Sequence, residues 1–253
     1  MTKSLIKAHL NLCAVLQNLE DLVKLDGEMA RLVHDWDVVV QFSVRNGPAA
    51  SVAFKNGNCT HEVGRHPNPT IKLYFISPAH LNSMFDGKGT PIVLRGLTRI
   101  GFLRKDFTRL TERLSYYLKP DNNRLADKGY AKINTILTLN TAVHAAKELA
   151  ALDPSSKRIA AETPRGSLQV EVLPDGPFAC ITLNADGISV RKGKCDAPMA
   201  KMVFKDLPAA NAMLTGRLNA FLAVAQGDVI LQGQLPIIDN VSLILDRVPA
   251  YLT

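Results

Sequence analysis

The sequence predicts an α+β protein written as two tandem domains, residues 1–120 and 121–253. Three observations predict it. Stretches with a 3.6-residue apolar period alternate with short β-type runs, five runs in each half. A polar stretch, Lys119-Pro-Asp-Asn-Asn-Arg-Leu-Ala-Asp-Lys-Gly129, reads as a linker between the halves. Finally, sliding the chain by 129 residues lays positions 46–87 on 175–216 without a gap. Gly47, Pro48, Ala50, Gly64, Pro69, Lys72, Phe75, Asn82, Met84 and Gly87 then meet identical residues, ten of 42 positions. The matched residues are turn formers and inward apolar positions, which is what keeping a backbone requires.

In the first half, Leu5, Leu12, Val15, Leu16, Leu19, Leu22, Val23, Met29 and Val33 predict one long amphipathic helix over 4–33. Asp35-Trp36-Asp37 ends it. Strands follow over 38–44, 50–55, 59–63 and 71–76, separated by Asn46-Gly47-Pro48, Asn56-Gly57-Asn58 and the Pro-rich loop 66–69. Ser77-Pro78 opens a short helix ending near Gly87, with Ser as cap and Pro in the first turn. A fifth strand covers 92–94, and a helix over 102–118 turns Leu103, Phe107, Leu110, Leu114 and Tyr117 inward. The second half repeats the order: a helix over 131–152, strands over 168–173, 178–183, 188–191 and 200–205, a short helix from Asp206, a strand over 229–232, and a closing segment over 237–252.

Bulk composition narrows the function classes. The chain has 253 residues, 47% hydrophobic and 21% charged, ordinary values for a globular protein. No apolar run reaches the ~20 residues a membrane span needs, and the N-terminus reads as a helix start rather than a signal peptide. Cys13, Cys59, Cys180 and Cys195 have no C-x-x-C spacing, so free thiols in a reducing compartment, the cytoplasm, are expected. The net charge of +7 sits mostly in residues 1–125, where 17 Lys/Arg meet 11 Asp/Glu. On the helix 102–118, Lys105, Arg109 and Arg113 lie opposite the apolar stripe. Such a face can rest transiently on an anionic membrane, or can simply be solvated. Nucleic acid is not expected, because no aromatics interleave the basic side.

The run Met213-Leu214-Thr215-Gly216-Arg217-Leu218-Asn219, then Phe221, then Gly227-Asp-Val-Ile-Leu-Gln-Gly233, resembles the sterol carrier protein 2 family. The likeness is best over residues 160–252 and reaches the first half only through the internal repeat. Ala220 stands where the family often has Pro, and Asp228 where it usually has Lys. The first half has a shorter link, Lys88 to Pro91, and lacks the helical turn that carries the buried aromatic. The resemblance implies a mostly antiparallel five-stranded sheet in each domain, with helices on one face and an apolar tunnel between them covered by a mobile C-terminal segment. It also implies non-catalytic binding of a fatty acid, acyl-CoA, sterol-like molecule or isoprenoid quinone, for carriage or presentation. The lining expected in the second half is Phe204, Met213, Leu214, Phe221, Val229, Leu231, Ile237, Ile238 and Leu245. The alternative is an accessory or scaffold module assisting a partner lipid- or quinone-modifying enzyme.

No catalytic constellation is legible, and neither cofactor nor metal is expected. His61-Glu62 with His66 has a five-residue His spacing on a strand and loop, not the four-residue helical spacing of a zinc protease. Gly87-Lys88-Gly89-Thr90 follows a helix and has Ser83 where a phosphate loop has Gly. There is no G-x-S-x-G elbow.

Overall fold

The structure is a computed structural model that describes residues 1–252. It divides into two units, Met1–Lys119 and Pro120–Tyr251. In the first, Thr2 accepts the Leu5 N–H and opens α1 (Lys3–Leu10). The helix expected over 4–33 is broken into pieces. A π-helical turn (Asn11–Val15) and a 3-10 turn (Leu16–Asn18) lead to α2 (Leu19–Leu25), and Asp26 then leaves the helical region at φ −104°, ψ 108°. The cause is its side chain, which accepts from the Glu28 and Met29 N–H groups and starts α3 (Gly27–Val33) afresh.

Five strands follow: β1 (Val38–Val44), β2 (Ala49–Lys55), β3 (Asn58–Val63), β4 (Ile71–Phe75) and β5 (Ile92–Arg95). Their order is β3-β2-β1-β4-β5, antiparallel except for the parallel β1–β4 pair. The sheet is therefore mixed. Register aligns Val40 with Val52 and Ile71, and Phe42 with Ala50 and Leu73, so one face is continuously apolar. Ser77 accepts the His80 N–H and starts α4 (Pro78–Phe85). The last helix runs from α5 (Ile100–Phe102) through a π-helical turn (Leu103–Phe107) into α6 (Thr108–Leu118). Rings fill this core. Phe42 packs against Phe75 and Phe107 at 6.4 and 6.3 Å, and Trp36 against Phe54 and Phe102 at 5.0 and 4.7 Å.

In the second unit the stretch expected as linker already carries α7 (Asn122–Leu125) and the Asp127 cap of α8 (Lys128–Leu152). Asp153 ends α8 and caps α9 (Pro154–Glu162), a helix that sequence periodicity did not predict. Then come β6 (Gly166–Val172), β7 (Phe178–Asn184), β8 (Gly187–Lys192) and β9 (Ala200–Phe204). Next are α10 (Leu207–Leu214), α11 (Ala220–Ala225), β10 (Val229–Gly233), α12 (Leu235–Leu245) and α13 (Pro249–Leu252). The strand order is β10-β9-β6-β7-β8, with only β6–β9 parallel. Read from its other edge, this is the topology of the first sheet.

The expectation of four free thiols needs correction. Cys180 and Cys195 form a disulfide, while Cys13 and Cys59 are buried thiols outside any disulfide. The hairpin β7–β8 supplies the proximity: Cys180 lies opposite Arg191, and the loop after β8 folds back until the Cys195 N–H donates to Gln169 Oε1 at 2.6 Å. Spacing along the chain does not display that fold-back. Among the described residues, no helix is long and apolar enough to cross a membrane.

Candidate functional site

In the second unit, strand alternation sends Ala200, Met202 and Phe204 to one face of β9, and β10 aligns Gly233, Leu231 and Val229 with them. Helix α12 lies over this surface with Ile237, Ile238, Val241 and Ile244 buried. Its 3.6-residue period makes that one stripe, so Leu235 and Leu243 are left exposed. Apart from Phe204, the layer between β9, β10 and α12 is aliphatic and thioether. It is softer than the ring-filled core of the first unit.

Of the expected lining residues, Phe204, Val229, Ile237 and Ile238 are buried in this layer. Leu231 and Leu245, on β10 and α12, are half-buried, and so are Met213 and Leu214 at the end of α10. Phe221 departs from what the resemblance implies, because it is not buried: it is 87% exposed. Asn219 Oδ1 accepts the Phe221 N–H and sets the start of α11, Ala223 is the residue this short helix turns inward, and Phe221, Leu222 and Val224 face out. An apolar, uncharged helical turn thus stands on the surface of this unit.

Two polar devices hold the helices around the layer. Asn211, on α10, donates to Asn134 Oδ1 and Thr135 Oγ1 of α8 at 2.7 and 2.8 Å, and accepts from Arg217. Asn82, its counterpart under the 129-residue shift, donates to the Ser4 carbonyl at 2.9 Å and accepts from Asn11 at 3.0 Å. A buried amide needs such partners, and in both units it ties the short helix to an earlier one, α4 to α1 and α10 to α8.

The second device is a latch on the C-terminal segment. Asp153 accepts from Arg247 Nε and Nη2 at 2.8 and 3.1 Å, and from the Tyr251 hydroxyl at 2.7 Å. Burial by itself would raise the Asp153 carboxyl, but the Arg247, Ser156 and Tyr251 donors outweigh it and hold it well below the usual carboxylate range. Burial and the adjacent carboxylate push the Tyr251 hydroxyl up. The first unit has the same trio: Asp26 accepts from Arg113 Nε at 2.6 Å and from the Tyr117 hydroxyl at 3.0 Å. Desolvation opposes ionisation of Asp26, yet its donors lower its carboxyl, and Tyr117 is pushed up to about 12 by burial and Asp26. Sequence reasoning missed both trios. The signal was there as Arg-x-x-x-Tyr in each closing segment, within α6 in the first unit and from the turn before α13 into α13 in the second, and an Asp between two helices. The two Asp residues are 127 apart, so a single gapless shift of 129 does not align them.

The latch also changes the reading of the basic helix. Arg113 is turned onto Asp26 and Arg109 pairs with Glu28, so two of the cations expected to face outward are engaged within their own unit. The discarded motifs have structural roles: the His61 N–H donates to Glu20, His61 Nε2 lies 2.8 Å from the Leu12 carbonyl, and the Lys88 N–H donates to the Ser83 carbonyl.

No protein-family model and no curated protein matches the chain. Solved structures similar to it include a protein titled UbiJ-SCP2 Ubiquinone synthesis protein, at 12% identity over 41% of this chain and 92% of that one, with a TM-score of 0.32. The sterol carrier protein domain 2 of Helicoverpa armigera is similar at 15% identity over 46% and 91% of the two chains, TM-score 0.35. An inverting sec-alkylsulfatase from Pseudomonas sp. is similar at 13% identity over 57% of this chain and 28% of that one, TM-score 0.26.

Proposed function

We propose that this protein is a non-catalytic lipid binder built from two sterol-carrier-like copies, whose second copy takes an apolar chain between β9, β10 and α12. The observation that carries this reading is the composition of that layer. Aliphatic and Met side chains are adaptable filling, the half-buried Leu231 and Leu245 belong to its own elements β10 and α12, and the helix above it is held by a polar latch at its far end; the half-buried Met213 and Leu214 of α10 are assigned to its margin. The sequence resemblance around Met213–Gly233 supports the same place. A fatty acyl, sterol-like or isoprenoid quinone molecule burying ~300 Å² would gain about 7 kcal/mol before ordering costs. The first copy, filled by Phe42, Phe54, Phe75 and Phe107, is assigned a supporting role. The proposed setting is the cytoplasm, against which the Cys180–Cys195 bond weighs, since disulfides persist mainly in oxidising compartments.

Native mass spectrometry of the purified protein, followed by organic extraction, tests the reading. A bound mass of a few hundred daltons that is lost in Leu231→Asp, with the variant still folded by circular dichroism, is the expected result. An empty protein that takes up no fatty acid, acyl-CoA or quinone would overturn it.

A further inference from the structure

The face of the first sheet turned away from the helices carries a different chemistry. Register places Glu62, Ser51, Gln41, Lys72 and Arg95 in one row across β3, β2, β1, β4 and β5. The loop between β3 and β4 folds over this row. Gln41, only 2% exposed, pins it by accepting the His66 N–H at 2.9 Å, while its own amide donates to Ser43 at 2.7 Å. An open cleft of about 430 Å³ results, lined on its charged side by Arg65, Lys72 and Arg95 with His66 and Gln41, and walled by Pro67, Pro69 and Leu94.

No carboxylate lines the cleft. Among the described residues, none of Arg65, Lys72 and Arg95 forms an ion pair. Arg95 Nη1 donates to the neutral Asn68 Oδ1 at 2.9 Å, which orients the guanidinium without cancelling its charge. Glu62, the acid in the same row, is three strand spacings from Lys72, ~14 Å at 4.8 Å per strand. Three uncompensated cations around one small concavity are the arrangement that recognises a compact polyanion, and guanidinium forks suit phosphate oxygens.

The second unit is an internal contrast. Its loop is pinned in the same way, by Gln169 accepting from Cys195. There the row reads Arg191, Cys180, Gln169, Lys201 and Gln232, so glutamine stands where Arg95 is. Lys194, the counterpart of Arg65, lies over the Phe178 ring at 4.5 Å. The loop also carries a carboxylate, Asp196, 3.8 Å from Arg191. The scaffold is shared, but the cation trio is confined to the first unit.

We infer that the cleft at Arg65, Lys72 and Arg95 binds the phosphate of a small phosphorylated molecule, a phosphomonoester or diphosphate. Its volume is within the range of small-ligand sites, and the site does not depend on the lipid layer proposed above. The phosphate could belong to a free metabolite or to a lipid headgroup. Isothermal titration calorimetry of the full chain with inorganic pyrophosphate and with ADP tests the first source. Flotation with phosphatidylcholine vesicles containing phosphatidic acid tests the second. Lys72→Gln and Arg95→Gln should each weaken the observed binding by ~10-fold or more, the loss of one charge-assisted contact, whereas Lys201→Gln should leave it unchanged. Binding to vesicles alone, abolished by Lys72→Gln, would assign the phosphate to a headgroup. Binding of none of the three probes would overturn the inference. So would a folded Lys72→Gln protein that binds like the parent, or equal losses from Lys72→Gln and Lys201→Gln.

Discussion

Replacing Asp153 by Ala removes the carboxylate on which the C-terminal latch of the second unit converges. Asp153 is 3% exposed and accepts from Arg247, Tyr251, the Ser156 N–H and the Ser156 hydroxyl. Leaving a fully buried partner charge would cost about 3–5 kcal/mol, but the Arg247 side chain is 37% exposed and rehydrates, so about 1 kcal/mol is assigned there. The Tyr251 hydroxyl loses a bond to a charged acceptor, about 1.5 kcal/mol, and α9 loses its cap, about 1 kcal/mol. The variant should therefore be destabilised by about 3–4 kcal/mol. For a unit of this size that lowers Tm by about 12–15 °C. Differential scanning calorimetry of the full chain reads the transition directly. Asp153→Asn, which keeps a capping acceptor, should fall about midway. A loss under ~3 °C in Asp153→Ala would refute the view that the latch holds the C-terminal segment.

The same residue predicts a pH dependence. Its folded-state carboxyl lies below the usual value of 3.8, so its stabilisation is present above that value and disappears as pH falls through the folded value; the Tm gap between parent and Asp153→Ala should narrow progressively below about pH 4. Tyr117 has the opposite sign. Its hydroxyl is raised from 10.0 to about 12 in the fold, so its contribution is intact below pH 10 and lost between pH 10 and 12, and Tyr117→Phe should show a shallower alkaline loss of Tm over that window. Gly233→Ala should destabilise the second unit by about 2 kcal/mol or more, because φ is +82° and the new Cβ would lie 2.2 Å from the Met199 carbonyl oxygen; a change within ~0.5 kcal/mol in urea unfolding would contradict that contact. Alkylation of the denatured, unreduced protein should label Cys13 and Cys59 alone, with Cys180 and Cys195 labelled only after reduction, as read by peptide mass spectrometry.

Local chemistry determined much of this protein by itself. Turn formers such as Asn46-Gly47-Pro48 and apolar alternation at Val38, Val40, Phe42 and Val44 place the strands, because turn geometry and strand period are properties of neighbouring residues. The internal match of Asn82 with Asn211 was legible as a pattern, and so was the Met213–Gly233 run. Tertiary structure alone decided what those residues do. Asn82 and Asn211 are hubs because helices distant in sequence bring them partners. Asp26 breaks the first helical stretch by capping α3 locally, but only the fold brings Arg113 and Tyr117, far along the chain, onto the same carboxylate. Phe221 faces outward because Ala223 takes the inward position of a helix too short to bury two faces. Lys72 and Arg95 become one cleft only through strand register, since side chains on adjacent strands are neighbours whatever their separation in sequence.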